Sequence, residues 1–474
     1  MALLESDIHG PPSGGVHGGA SGPAHRRIAA FAGPGRLRVT GRSDAVLACR
    51  VDVGRTTVAV YATDPSDKGG ALGAADCSVI ADHIDAAVRD GLPVVGIWHC
   101  SGAKISDGVG SLDGLGRVFA AITRASGRTP QISVVLGTSA GGAAYGAALT
   151  DVVVTAPDGV MFVTGPGVVA EVTGEQVSAA ELGGPEVHAG TGVVHLTAGS
   201  VEQALAAARD LVGLLSAPRC DAGRERSPDP GLGEVLPVRE RQAYDVGRLV
   251  RLLLDDDGPV VELQAQWARN LTTTFGRLGG RTVGVVANNP IHLAGCLDAA
   301  AADKAARFVQ MCDVLGIPLL VIVDVPGYLP GVGQEQQAVL RRGAKLLHAF
   351  ARASVPRVTL HTRKAYGGAY IAMNSRSLGA TAVLAWPTAQ IAVMGPEAAV
   401  QVTHRRELAR LSPLRRREAL LHLAAQVPTG RGLEEGLQAG YVDRVIAPEL
   451  TAVAILEELE RAAPGRGRHG NTPL

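Results

Sequence analysis

Cysteine gives this chain no framework. Its six cysteines (Cys49, Cys77, Cys100, Cys220, Cys296, Cys312) are scattered over 474 residues with no C-x-x-C pair. That argues against a zinc ribbon and against a disulfide scaffold. Net charge is missing too, since 45 Lys and Arg balance 45 Asp and Glu. No long basic run with interleaved aromatics occurs, so no nucleic-acid or acidic-membrane partner is expected. No apolar run reaches membrane-spanning length, and residues 1–10 lack a basic stretch leading into an apolar one. Neither a span nor an export signal is expected. These absences predict a cytoplasmic, reduced protein.

What is present is apolar material, 46% hydrophobic against 19% charged residues. The length exceeds one core and suits two domains of roughly 200 residues. Residues 1–35 are Gly, Pro, Ser and His with no apolar period and read as a disordered arm. His9, His17 and His25 there could be metal ligands or simply solvated; no metal site is expected. Residues 36–217 read as a first domain, and 218–240, with Pro218, Pro228, Pro230 and Pro237, as a linker. Residues 241–465 read as a second domain and 466–474 as a flexible tail. In the first domain the pattern predicts strands at 93–98 and 132–136 and helices at 75–89, 112–125 and 201–216. In the second it predicts strands at 260–278, 281–287, 318–323 and 357–361, with helices at 299–315 and 334–353. The order of elements repeats across the halves. Strands alternating with helices mean α/β layers.

Two stretches organise the chain. Thr138-Ser139-Ala140-Gly141-Gly142-Ala143-Ala144-Tyr145 is answered about 225 positions later by Thr362-Arg363-Lys364-Ala365-Tyr366-Gly367-Gly368-Ala369-Tyr370-Ile371. Each follows a β-branched run and opens a small-residue helix. A helix start leaves free N–H groups and partial positive charge, and Gly admits a ligand where a Cβ would block it. Such a turn suits an anion, and an oxyanion that develops during reaction most of all. No Asp, Glu or His lies inside either turn, and the nearest acid after the first is Asp151. A protein base is not evident.

Other residues carry two readings. Glu171 and Glu175, at helical spacing after Gly167, could serve as a base or be structural; His188 and His195 read as structural. Asp324, at a strand end, could orient a loop through backbone amides or act chemically. The run Arg405, Arg406, Arg410, Arg415, Arg416, Arg417 is a solvated helix face or a contact for an acidic partner or a nucleotide phosphate.

Val323-Asp324-Val325-Pro326-Gly327-Tyr328-Leu329-Pro330-Gly331 and Ala385-Trp386-Pro387-Thr388-Ala389-Gln390-Ile391-Ala392-Val393-Met394-Gly395 are long and specific. With them the sequence resembles the carboxyltransferase β subunits of biotin-dependent acyl-CoA carboxylases, of the propionyl-CoA carboxylase type. The resemblance covers residues 91–446. It implies an α/β fold of two tandem crotonase-like (ClpP/crotonase) domains, each a twisted sheet flanked by helices, assembled as a hexamer of two stacked trimers. It implies acyl-CoA as substrate and biotin carried on a partner, the biotin carboxylase/biotin carboxyl carrier (α) subunit, with the site between subunits. By this resemblance Gly141 and Gly142 hold the thioester oxygen as it becomes an enolate, and Gly368 and Ala369 hold the ureido oxygen of biotin. Gly367 and Tyr370 belong to the same biotin cradle. Gly102, Ala103 and Lys104 face the CoA, where Lys104 stands for a usual Arg and could hold a phosphate or lie free at the surface. Phe162 and Ile371 line the acyl pocket. A decarboxylase running the step backwards, or a weakly catalytic structural subunit of a mixed hexamer, is the alternative. Three stretches depart from the pattern: residues 62–68, residues 428–436, and Trp98-His99-Cys100-Ser101 in place of a more polar Asp-Ser-Gly sequence.

Overall fold

Short β-branched runs become the strands of two sheets in the computed structural model, which describes residues 22–216, 225–239, 242–428 and 431–473. The first sheet holds β1 (Leu37–Arg42), β2 (Val46–Val53), β3 (Thr56–Thr63), β4 (Val94–Cys100), β5 (Gln131–Ala140), β6 (Val152–Thr155), β7 (Met161–Phe162) and β8 (Leu196–Thr197). The second holds β9 (Val261–Leu263), β10 (Leu271–Leu278), β11 (Arg281–Asn288), β12 (Leu319–Val325), β13 (Arg357–Tyr366), β14 (Ala382–Ala385), β15 (Gln390–Ala392) and β16 (Arg444–Val445). Their orders are β1-β2-β3-β4-β5-β6-β8 with β7 on β5, and β16-β14-β13-β12-β11-β10-β9 with β15 on β13. In each, two antiparallel pairings precede a parallel run. Fully buried parallel strands read as unbroken apolar runs, as in β12, Leu-Leu-Val-Ile-Val-Asp-Val.

The helices at 201–216 and 299–315 stand where the apolar period puts them. Five other stretches differ, the first being the expected helix at 334–353, which left-handed Ala338 splits into Val332–Gln336 and Val339–Arg352. Residues 23–32 of the expected arm form a helix, Pro23–Ala32, because Ile28 and Phe31 supply an apolar face that is fully buried; residues 1–21 lie outside the described residues. Within the expected linker, Leu232 and Val235 are buried in the core of the second half, so 225–239 belongs to that body; residues 217–224 lie outside the described residues. The expected strand at 260–278 is broken by a loop with left-handed Gln264 and Ala268. Fully buried Lys304 ties that loop by donating to Gln264 O, Trp267 O and Leu271 O at 3.0, 3.0 and 2.8 Å. The expected tail is pinned rather than loose. Arg466 donates to Gly127 O and Arg128 O, and Asn471 Nδ2 donates to Asp151 Oδ1 at 2.6 Å.

The halves share one continuous core, in which Ile132, Val154 and Leu205 of the first join Phe275, Phe308 and Val321 of the second. Arg307, beside the buried Asp151, donates to Thr150 O at 3.2 Å across that boundary. Among the described residues no helix is long and apolar enough to cross a membrane. Among them, too, no three His, Cys, Asp or Glu side chains converge to hold a metal.

Candidate active site

The sheet registers align the two glycine turns residue by residue. Val94 of β4 stands opposite Gln131 of β5, and Leu319 of β12 opposite Arg357 of β13. Gly141 lies ten positions past Gln131, and Gly367 ten past Arg357. Both glycines are left-handed, with φ of 55° and 59°, a conformation that L side chains avoid. Each turns a strand directly into a short helix, Gly142–Ala148 or Gly367–Ala372. Gly142 and Ala143 therefore match Gly368 and Ala369. These N–H groups sit at the helix starts, where no carbonyl of the same helix reaches them.

The alignment changes one assignment. The Gly141 N–H donates to Phe162 O at 3.0 Å, completing the β5–β7 ladder, and so is already engaged. The next two N–H groups, of Gly142 and Ala143, stand in register with those of Gly368 and Ala369. The engagement of the Gly141 N–H has no signal in the sequence, because Phe162 lies 21 positions on.

A second loop crosses beneath the first turn. Gly102 has φ of 114°, and a Cβ there would lie 3.3 Å from Ala140 O. Leu72 holds the loop by donating to Gly102 O at 2.9 Å and accepting from Lys104 N at 2.8 Å. The Ala103 N–H makes no backbone hydrogen bond among the described residues. The second half repeats this bridge at Leu297, Gly327 and Leu329, with 3.0 and 2.7 Å. Lys104 is half-buried beside Gly73. Phe162 is half-buried with its ring against Gly165.

The turns differ in what lies under them. A Cβ on Gly142 would meet Leu115 Cδ1 at 2.5 Å, whereas one on Gly368 would meet nothing within 4 Å. In the second half Tyr366 donates from its hydroxyl to Gln390 Oε1 at 2.6 Å, and Tyr370 stacks on His361 with centroids 5.5 Å apart. Ile371 is half-exposed on the same helix, so it belongs to the second-half turn. Asp324, 2% exposed, accepts from Lys364 N at 3.2 Å and from Arg363 Nε at 2.8 Å. It orients the strand leading to the turn, one of its two sequence readings.

His188, His195 and Asp151 hold structure. His188 bonds Met161 O, and His195 Nδ1 accepts from Val153 N at 3.1 Å. Asp151 accepts from Gln131 N at 2.8 Å, and burial, opposed by Arg307, pushes its carboxyl up to about 6. Glu171 and Glu175 are exposed. Arg405, Arg406, Arg410, Arg415 and Arg417 are exposed, while Arg416 Nε donates to Leu408 O at 2.9 Å. A cavity of about 370 Å³, lined by Gln310, His348, Arg352 and His469, lies at the carboxyl-terminal tail and includes neither turn.

Residues 42–465 match the family described as the carboxyl transferase domain. The chain is 50% identical over 454 residues to the biotin-dependent acetyl-/propionyl-coenzyme A carboxylase beta6 subunit of Mycobacterium tuberculosis, covering 94% of this chain and 96% of that protein. It is 52% identical over 384 residues to the propionyl-CoA carboxylase beta chain of Rhodococcus erythropolis, 79% of each. Among solved structures, transcarboxylase 12S, described as a hexamer with methylmalonyl-coenzyme A and methylmalonic acid bound, superposes with a TM-score of 0.86 at 36% identity. That match spans 95% of this chain and 92% of the other.

Proposed function

The chain belongs to the carboxyl transferase family, as a carboxyltransferase β subunit of the biotin-dependent acyl-CoA carboxylases, and from that premise we propose which of its residues do the work and on what. The substrate is a short acyl-CoA of the acetyl/propionyl class. The Gly142 and Ala143 amides, with Ala103 N–H at the crossing loop, receive the thioester oxygen as its α-carbon loses a proton. Negative charge then develops on that oxygen, and each well-aimed donor is worth about 10²–10³ in rate.

The second turn fits a urea oxygen. Its helix start offers the Gly368 and Ala369 N–H groups, the space beside Gly368 is open, and no acid lies in the turn. Carboxybiotin, brought by a partner subunit, supplies the CO2 and a ureido nitrogen able to take the α-proton. The protein's own part is to hold both oxygens and keep the reacting centres aligned. Gly102 and Lys104 lie toward the CoA, and Phe162 and Ile371 bound the acyl chain. The observation that carries this reading is the pair of left-handed glycine turns in identical register.

We infer a hexamer like that of transcarboxylase 12S, with the site shared between copies. The exposed charges support it. Glu171, Glu175, Glu181 and Glu186 follow the first turn, while Arg405, Arg406, Arg410, Arg415 and Arg417 follow the second. A first half facing another copy's second half would match opposite potentials. The test is label exchange between carboxylated biotin carrier and a panel of acyl-CoAs, with exchange highest for two- and three-carbon acyl groups. Absence of exchange with every acyl-CoA would sink the assignment. Ile371→Asp should alter the ratio of kcat/KM between chain lengths, and an unchanged ratio removes Ile371 from the acyl pocket.

A further inference from the structure

Behind each turn the ladder slips, with three residues of β5 or β13 (136–138, 362–364) facing one residue of β4 or β12. The β4–β5 register shifts between Trp98 and Cys100, and the β12–β13 register between Val323 and Val325. The residues at the slips, His99 and Asp324, lie five positions past Val94 and Leu319 and are equivalent. A bulge beside a functional site re-aims a side chain. Both aim at the neighbouring strand just before its glycine turn. Asp324 grips Arg363, with Nη2 to Oδ2 at 2.8 Å. His99 instead lies over Gly137, where a Cβ would be 2.4 Å from Nδ1. Gly137 and Arg363 are equivalent as well, six positions past Gln131 and Arg357.

The cation that Gly137 lacks arrives from the amino-terminal helix. Arg27 Nη2 donates to His99 Nδ1 at 2.9 Å, and Nη1 donates to Thr63 O at 3.4 Å. Arginine only donates, so Nδ1 is the accepting nitrogen of a neutral ring. Burial first, and the charge of Arg27 second, hold His99 below the usual histidine range. Thr63 Oγ1 accepts from His99 N at 2.7 Å and donates to His99 O at 3.0 Å, fixing the slipped residue. The helix itself is anchored by buried Ile28 and Phe31 and by Ala24 N donating to Asp64 Oδ2 at 3.1 Å.

We propose that Arg27 and His99 are positioning residues for the first turn, clamping the strand at Gly137 as Asp324 and Arg363 clamp its counterpart. The first half thus borrows from outside its sheet a cation that the second half carries on β13. The inference rests on the assignment of the first turn to the acyl-CoA. Arg27→Met keeps the apolar stem and removes the donor; His99→Asp keeps an acceptor for Arg27. Hydrogen exchange by mass spectrometry on the full-length assembled protein should show residues 137–148 of Arg27→Met exchanging about tenfold faster. Residues 362–371 should stay unchanged, and His99→Asp should match the unmodified protein in both.

In carboxyl exchange Arg27→Met should lose about 10²-fold in kcat with KM within about threefold, whereas His99→Asp keeps most of its activity. Arg27→Lys, with one shorter donor, should fall between and serves if Arg27→Met does not assemble. Unchanged exchange at 137–148, equal loosening of both turns, or loss of KM alone overturns the proposal. If the unmodified protein transfers no carboxyl group, the functional assignment falls, yet the hydrogen-exchange comparison still decides this one.

Discussion

Gly141 and Gly367 hold one backbone conformation at the ends of matching strands, but they rest on different supports. An ion pair between 2%-exposed Asp324 and Arg363 stands behind the second, with Tyr244 stacked 4.8 Å from the guanidinium and Gln242 O accepting from Nη1 at 2.9 Å. A neutral histidine and a distant arginine stand behind the first. Duplicated halves therefore keep the turn, whose φ angle admits little besides glycine, and vary what lies behind it. A clamp can be built from any donor and acceptor that reach one another.

The comparison can be tested from its strongest term down. Asp324→Ala leaves Arg363 buried without its carboxylate, and loss of one partner of a buried pair costs about 3–5 kcal/mol. His99→Ala removes only a neutral acceptor, worth about 1–3 kcal/mol. Equal losses in urea unfolding would erase the distinction between the supports. Gly141→Val and Gly367→Val should each cut carboxyl transfer by at least about 10²-fold, because each moves a pair of oxyanion donors. Partial reactions should separate them. Release of CO2 from free carboxybiotin without acyl-CoA should feel the Gly367 change more than the Gly141 change.

Acid should weaken both halves unequally. Burial lowers His83 to about 4 and His195 to about 3 in the first half, and His361 to about 4 in the second. The unfolded chain takes up these protons near pH 6.5. Between there and pH 4 it binds more protons than the folded chain, so stability falls as pH falls. At pH 5 each histidine subtracts roughly 2 kcal/mol. Asp151, raised to about 6, opposes them, gaining as pH drops from about 6 toward 4. Both ring nitrogens of His361 are buried without a partner, so His361→Phe should hold or raise Tm at pH 7 and lessen the acid slope. A lower Tm at both pH values would contradict that. The smallest effect concerns the floor of each turn. Gly142→Ala pushes into Leu115 and should cost about 1–3 kcal/mol, whereas Gly368→Ala meets open space and should stay within about 0.5 kcal/mol. Calorimetry of the two variants would show whether the floors differ.

Much of the fold could be read in the chain because its rules are local. β-Branched runs such as Leu319–Val325 and the apolar period of Ala299–Leu315 declare strand and helix wherever they fold. The glycine turns could be found for the same reason. The state of the Gly141 N–H could not be read, since nothing local to Gly141 says that Phe162 O will take it. Arg27 lay hidden in a stretch of low-complexity composition, and its helix exists because Ile28 and Phe31 find a core made by other strands. The break at 264–270 follows from Lys304, about forty positions on, which satisfies three carbonyls that a strand would have paired.

By itself the sequence determined the duplicated order of strands and helices, the two glycine corners and the family they announce, because steric limits on φ and the spacing of apolar residues act between near neighbours. The tertiary structure alone decided which amides stay open at those corners, which arginine braces which turn, and that both halves share one core. Each of these depends on hydrogen bonds and packing between residues 20 to more than 300 positions apart, and only a folded chain brings such partners together.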